Sequence, residues 1–421
     1  MAFRFPNRLL RLFSVAIADQ VLLSAANFFV GFLLIRHSTD ADYGLYVLTQ
    51  SAMSLFVSAQ AAWVSGPIAV LAPKRTPEKR YLMIGSIDLS QRKFLAGATL
   101  LSMLVPVAGY IVGVWSGLIA LVSSAGVLAI WVGLQREFLR TVFFTYSRPK
   151  DVLRIDLIYT GILLPGALAA AFVLKPASLW AVLALAVSAW GASNLGRRML
   201  AANPGWQTED AGPYWKEMRS LGVWSAAGAL IYWLFSQSYN YVLAGRIGLS
   251  AVASVNAARL LLMPTIVLTV GVKGLLNPMA ASWLHEAGVR SVLRRLALIV
   301  AIIGVLDVFY FVFVWVFRDW LTVDFLHKDI GDRDALLMLW ACVSLVSLIR
   351  DVFQSALMAL EKFKPMAWLT AAAAVVCLSL MSLEIGQWGA KAALIGQMAG
   401  ESINLVGVFV LLWQAVRSSK D

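Results

Sequence analysis

Residues 94–115 read FLAGATLLSMLVPVAGYIVGVW, 22 consecutive positions without a charged side chain. Wound as an α-helix, the run is about 33 Å long, enough to cross the roughly 30 Å hydrocarbon core of a bilayer. Working outward, eleven further runs of similar character occupy 13–36, 43–71, 117–145, 155–174 and 178–196, then 221–244, 251–276, 296–317, 335–360, 365–384 and 392–416. Each is too long and too evenly apolar for a barrel strand, and lipid requires every backbone polar group to be satisfied within its own segment. The pattern predicts an all-α polytopic membrane protein with about 12 transmembrane helices.

Composition agrees with this reading. Hydrophobic residues make up 60% of the chain and charged residues 14%, and the mean hydropathy is +0.77, so no segment has the makings of a soluble domain. A net charge of +12 raises the question of nucleic acid. The basic residues instead punctuate the span ends, and with a cytoplasmic N-terminus about 27 Lys and Arg fall inside and about 7 outside, the positive-inside distribution. Both termini are then cytoplasmic, and a nucleic-acid partner is not indicated. The apolar run behind Arg4, Arg8 and Arg11 extends past a signal-peptide core as far as Arg36, and is read as an uncleaved first span. Cys342 and Cys377 fall inside spans and are read as packing residues, not a disulfide framework.

A composition change after the sixth run, Arg197 and Arg198 followed by Pro204, Gly205 and Pro213, reads as a linker. It ends in Tyr214 to Arg219, expected to form a short interfacial helix, and the amphipathic stretch Phe3 to Arg11 leads into the first span in the same manner. The linker divides the chain into residues 1–204 and 205–421, six spans each. Arg36 followed by Gly66-Pro67 parallels Arg246 followed by Asn277-Pro278, and Arg136-Glu137 before Pro149 parallels Arg350-Asp351 before Pro365. An even number of spans per half gives both lobes one topology, related by a pseudo-two-fold along the membrane normal.

Two stretches carry a family likeness. Asp19-Gln20, Ser24, Asn27, Arg36, Asp42-Tyr43-Gly44, Gln60 and Gly66-Pro67 form the first; Asn256-Ala257-Ala258-Arg259, Pro264 and Asn277-Pro278 form the second. They resemble the polysaccharide repeat-unit flippases (O-antigen, capsule, exopolysaccharide) of the multidrug/oligosaccharidyl-lipid/polysaccharide flippase superfamily. The resemblance implies a bacterial inner-membrane protein that moves an undecaprenyl-diphosphate-linked oligosaccharide from the cytoplasmic to the periplasmic leaflet by alternating access. It also implies that the first, second, seventh and eighth helices line the cleft, and that the partners are the lipid-linked oligosaccharide, membrane lipids, and polymerase and export machinery.

A diphosphate cannot enter such a cleft without counter-charge. Arg259, about eight residues or 12 Å from the outer end of its span, is the leading candidate, against a structural ion-pair role. Lys273 lies fourteen residues on, close to four turns, and so is expected on one face with Asn256 and Asn277; the alternative is that it snorkels. Gln20, Ser24, Asn27 and Gly31 form a polar stripe on the first span, with Ser225, Tyr232, Ser236, Tyr239 and Asn240 a looser version on the seventh. Asp307 and Glu401 are carboxylates at a depth similar to Arg259, read as ion-pair or coupling groups; the simplest pairing is Arg259 with Asp307 on sequential spans. Arg136, Glu137, Arg140, Arg350 and Asp351 read either as an electropositive funnel or as an ion-paired helix end.

No phosphate-binding glycine loop, metal-ligand cluster or nucleophile–base pair occurs, and His37, His285 and His327 are expected in loops. Catalysis, a metal and a cofactor are therefore not expected. Short outer loops, the longest near Arg318 to Asp334, argue against a polymerase or ligase. The remaining rival is a multidrug and toxin extrusion type cation-coupled exporter, for which a carboxylate-rich cleft is expected.

Overall fold

The computed structural model describes residues 7–203 and 206–418, with side chains described at all of these except 7–13, 220, 274, 275, 278 and 418. The lead-in Phe3 to Arg11 and the Pro204-Gly205 junction lie outside the described side chains. The described residues are mostly helical, without a strand. Among them, ten helices are long and apolar enough to cross a membrane, eleven if one bent pair counts as a span. The expected seventh span is α8 (Gly212–Arg246), 35 residues long but diluted by Ser225, Gln237 and Asn240, and it is not among the ten. The helices fall into two compact units, Met1–Leu230 and Ile231–Asp421.

The first unit contains α1 (Asn7–His37), α2 (Asp40–Gln60), α3 (Gly66–Leu71), α4 (Pro77–Ile111), α5 (Gly117–Thr145), α6 (Pro149–Phe172) and α7 (Ala177–Ala201). A π-turn, Ala61–Ser65, joins α2 to α3; Pro67, which has no N–H to donate to the preceding turn, follows it after Gly66. Small residues let the helices approach: Ala177, Ala181, Ala184, Ser188, Ala192 and Gly196 form a buried stripe down α7, where α5 and α6 pack. The third span begins seventeen residues earlier than expected, because 77–93 is helical too. Met83, Ile84, Ile87, Asp88 and Gln91 are buried there at an amphipathic helical spacing that no search for apolar runs detects, and Gly85 and Ser86 are buried beneath the linker.

The polar linker is anchored on this extension. The Glu209 amide donates to Ser86 Oγ at 2.8 Å, Trp215 Nε1 to Ser90 Oγ at 3.0 Å, and Arg75 Nη2 pairs with Glu217 Oε2 at 2.5 Å. Tyr214 to Arg219 does not form the separate interfacial helix expected; it is the first part of a continuous α8.

The second unit comprises the rest of α8, then α9 (Leu249–Leu261), α10 (Met263–Val316), α11 (Arg333–Ala359), α12 (Phe363–Trp388) and α13 (Lys391–Ser418). The sequence reads residues 251–276 as one span. Instead α9 and α10 meet at Leu262 with a bend of 63°, since Pro264 has no N–H to continue the ladder and so starts a new helix. The expected loop between spans eight and nine is helical as well, so His285 sits in α10, not in a loop. Ala280, Val292 and Leu296 of that segment are buried in the core. Only Gly288, at φ 73°, breaks the helix, a conformation that costs glycine little.

Gly396 and Gly400 of α13, four residues apart, hold a close approach of α13 to α12. A methyl on Gly400 would sit 2.6 Å from Phe235 Cε2 and 2.9 Å from the Ala373 carbonyl, and one on Gly396 would sit 2.6 Å from the Cys377 carbonyl. Gly400→Ala is expected to cost about 1–3 kcal/mol through this overpacking. Gly97→Ala, where an added methyl meets nothing within 4 Å, should leave stability unchanged or slightly raised. Thermal unfolding of the two variants in one detergent checks the difference.

Candidate functional site

Arg350 lies in α11 with 4% of its surface exposed, where an unpaired guanidinium would carry a heavy desolvation cost. Glu401 of α13 meets it, with Oε2 3.1 Å from Arg350 Nε. The neighbouring Asp351 lies 3.2 Å from Arg350 Nη2 and accepts from Lys273 Nζ of α10 at 3.0 Å. The result is a chain, Lys273–Asp351–Arg350–Glu401, that ties three helices together.

Arg259, near the end of α9, is held differently. Its Nη1 donates to Tyr239 Oη at 3.4 Å, and its guanidinium lies 5.4 Å from the Trp340 ring centre, a cation–π contact. The supporting groups are themselves fixed: Trp340 Nε1 donates to the Val255 carbonyl at 2.9 Å, Tyr239 Oη to Asn256 Oδ1 at 3.3 Å, and Asn256 Nδ2 to Asn240 Oδ1 at 2.7 Å. Arg259, Arg350, Asp351, Glu401, Tyr232 and Ser236 all face a cavity of about 140 Å³ inside this unit. Three cations (Arg259, Lys273, Arg350) stand against two carboxylates (Asp351, Glu401), and among the described residues Arg259 is the cation without a carboxylate. The cluster is therefore one positive charge in excess.

The first unit has a network of opposite balance. Arg136 of α5 places Nη2 2.5 Å from Asp156 Oδ1 and Nη1 2.9 Å from Glu137, with its guanidinium 3.7 Å from the Tyr159 ring centre. Arg140, one turn on, reaches Asp156 Oδ2 at 2.8 Å, Glu137 at 2.8 Å and Asp19 Oδ2 of α1 at 3.0 Å. Asp156 is fully buried and Asp19 nearly so. Asp19 Oδ1 has no hydrogen-bond partner among the described residues. Three carboxylates against two guanidinium groups leave one negative charge for a proton or a cation to balance.

Several expectations change. Arg259 does not pair with Asp307; its partners are on α8 and α11. Asp307 is buried, with neither oxygen hydrogen-bonded among the described residues, and Glu401 pairs with Arg350. The bend at Leu262 removes the single helix face expected for Arg259 and Lys273, although both reach the same charged cluster. Asn256 is spent on Asn240 and the Val252 carbonyl. Asn277 is partly buried, its Oδ1 without a partner. On α1, Gln20 and Asn27 are exposed and Ser24 half-buried. Arg136, Arg140 and Arg350 belong to buried networks, not to an open funnel. Asp156 and Trp340 were not singled out from sequence; two arginines one turn apart in an apolar span are the signal for a carboxylate such as Asp156 nearby.

No family model matches the sequence, and no curated protein is similar to it. Solved structures are. An inward-facing multidrug resistance MATE family transporter of the MOP superfamily aligns with TM-score 0.80 at 13% identity, over 96% of this chain and 98% of that one. The lipid II flippase MurJ, in an inward closed conformation, aligns with TM-score 0.74 at 10% identity, over 96% of this chain and 87% of its own. A MOP superfamily transporter from Pyrococcus furiosus, described as having a binding pocket of reversed polarity, aligns with TM-score 0.69 at 12% identity, over 98% and 96%. The fold is that of the MOP transporters. At such identities the likeness is one of architecture.

Removing one member of a buried ion pair strands the other. Glu401→Ala is expected to destabilise the protein by about 3–5 kcal/mol, while Arg350→Met with Glu401→Met recovers most of the loss. Thermal unfolding of the single and double variants measures this.

Proposed function

We propose that the chain is a flippase. It translocates an undecaprenyl-diphosphate-linked oligosaccharide repeat unit from the cytoplasmic to the periplasmic leaflet of a bacterial inner membrane, by alternating access of two six-helix lobes, residues 1–204 and 205–421. Both termini are cytoplasmic, and the product passes to polymerase and export machinery. The observation that carries the reading is Arg259, a guanidinium facing a polar cavity with no carboxylate to neutralise it.

Such a group favours an anionic ligand because its desolvation is already met by Tyr239 and Trp340 while its charge is not. Serine and tyrosine hydroxyls beside it, Ser236 and Tyr232, suit the hydroxyl-rich surface of a sugar. The excess positive charge would repel an organic cation from this cavity. The reading also agrees with a fold shared with a lipid II flippase.

One observation favours the rival, a cation-coupled multidrug exporter. The Asp19, Glu137 and Asp156 cluster in the first unit is one carboxylate in excess, and the fold is equally that of MATE transporters. A proton or cation held there would serve either substrate as a driving force, so the cluster bears on coupling while Arg259 bears on cargo.

A strain lacking the protein should accumulate undecaprenyl-diphosphate oligosaccharide, measured by mass spectrometry of the lipid extract. Wild type should relieve the accumulation, Arg259→Ala should leave at least tenfold more intermediate than wild type, and Arg259→Lys should fall between. An unchanged lipid profile with altered sensitivity to cationic compounds would replace the flippase with the exporter.

A further inference from the structure

The bend at Leu262 separates two hollows of opposite character. On one side is the polar cavity faced by Arg259 and Ile266. On the other is a groove of about 330 Å³ between α10 and α11, lined by Leu262, Phe311, Trp315, Met338, Cys342 and Leu345 among others, with no charged side chain. The two share a wall. Trp340 of α11 faces the cavity and the next residue, Ala341, the groove. Val308, Val312 and Met338 on the groove's lining are about half exposed, so it opens onto the surface that faces hydrocarbon.

The geometry points to this groove as the seat of the polyprenyl tail of the lipid-linked substrate whose charged headgroup engages Arg259. The inference rests on the flippase reading. An ordinary membrane lipid keeps its headgroup at the interface and only its tail in the hydrocarbon. Arg259 lies ten residues along α9, about 15 Å from its outer end, so an anion held there is drawn well below the headgroup layer. Its hydrocarbon chain must then leave the polar cavity within the depth of the bilayer, and it needs an apolar surface that begins at the same level. Leu262, three residues after Arg259, begins such a surface. An apolar cleft adjoining a cation-bearing cavity is the complement of one amphiphile, and burial of its tail adds affinity in proportion to the apolar area removed from other contacts.

The test uses the purified full chain in nanodiscs and two probes, inorganic diphosphate and a long-chain polyprenyl diphosphate carrying a diazirine on its first isoprene units. Irradiation of wild type should label peptides containing residues 308–315 and 338–345, and Arg259→Ala should reduce that labelling at least tenfold. Cys342→Trp or Met338→Trp, which fill the groove from two positions, should weaken the polyprenyl probe at least tenfold and leave inorganic diphosphate binding unchanged; that retained binding also reports a folded protein. Labelling elsewhere on the chain, or Trp variants that bind the polyprenyl probe as wild type does, would overturn the groove while leaving the flippase reading in place. If neither probe binds wild type, both readings fall together.

Discussion

The cost of a charge in a hydrocarbon-embedded bundle governs this molecule. A guanidinium or carboxylate there persists only where opposite charges and hydrogen-bond partners meet it. Arg136, Arg140 and Arg350 comply by drawing carboxylates from their own helix and from one or two neighbouring helices, so that charge pairing and helix packing become the same set of contacts. The apolar packing is close enough to hold them in register: the small-residue stripe of α7 brings α5 and α6 near enough for Arg136 and Asp156 to meet, and the glycines of α13 draw α12 against it. Arg259 is the exception. It is solvated by a tyrosine and a tryptophan and left unneutralised, which sets it apart from every arginine of the two networks.

The dipeptides Arg136-Glu137 and Arg350-Asp351 occupy corresponding places in the two halves, and each forms an ion contact within itself, at 2.9 Å and 3.2 Å. Beyond that they diverge. In the first unit the second arginine, Arg140, adds a third carboxylate from α1; in the second unit a lysine from α10 takes its place. The two networks thus carry a negative excess in one unit and a positive excess in the other.

Most of the fold was legible in the sequence because hydrophobic run length reports directly on bilayer crossing. The ten apolar helices lie where the long apolar runs place them. What run length does not report is helix beyond the hydrocarbon: residues 77–93 and 279–295 are helical on the strength of amphipathic spacing and helix-forming residues, and their charges disguised them as loops. The bend at Leu262 was only half legible. Pro264 was visible, but whether a proline kinks a span or starts a new helix depends on the packing around it. Of the site, Arg259 stood out as a charge in a span, and Lys273 was found for the same reason. Their partners were not legible, because Arg259 is met by uncharged aromatic groups, Tyr239 and Trp340, and Lys273 by a carboxylate 78 residues along the chain.

One consequence follows from the way α11 runs past the bend. Trp340 is hydrogen-bonded to Val255 of α9, and Asp351, eleven residues along the same helix, is ion-paired to Lys273 of α10. α11 therefore acts as a splint across the joint between α9 and α10. Both attachments brace the 63° angle, and Lys273–Asp351, the ion pair of the two, is the one a competing anion would weaken. Separating Lys273 from Asp351 would remove one of the two braces.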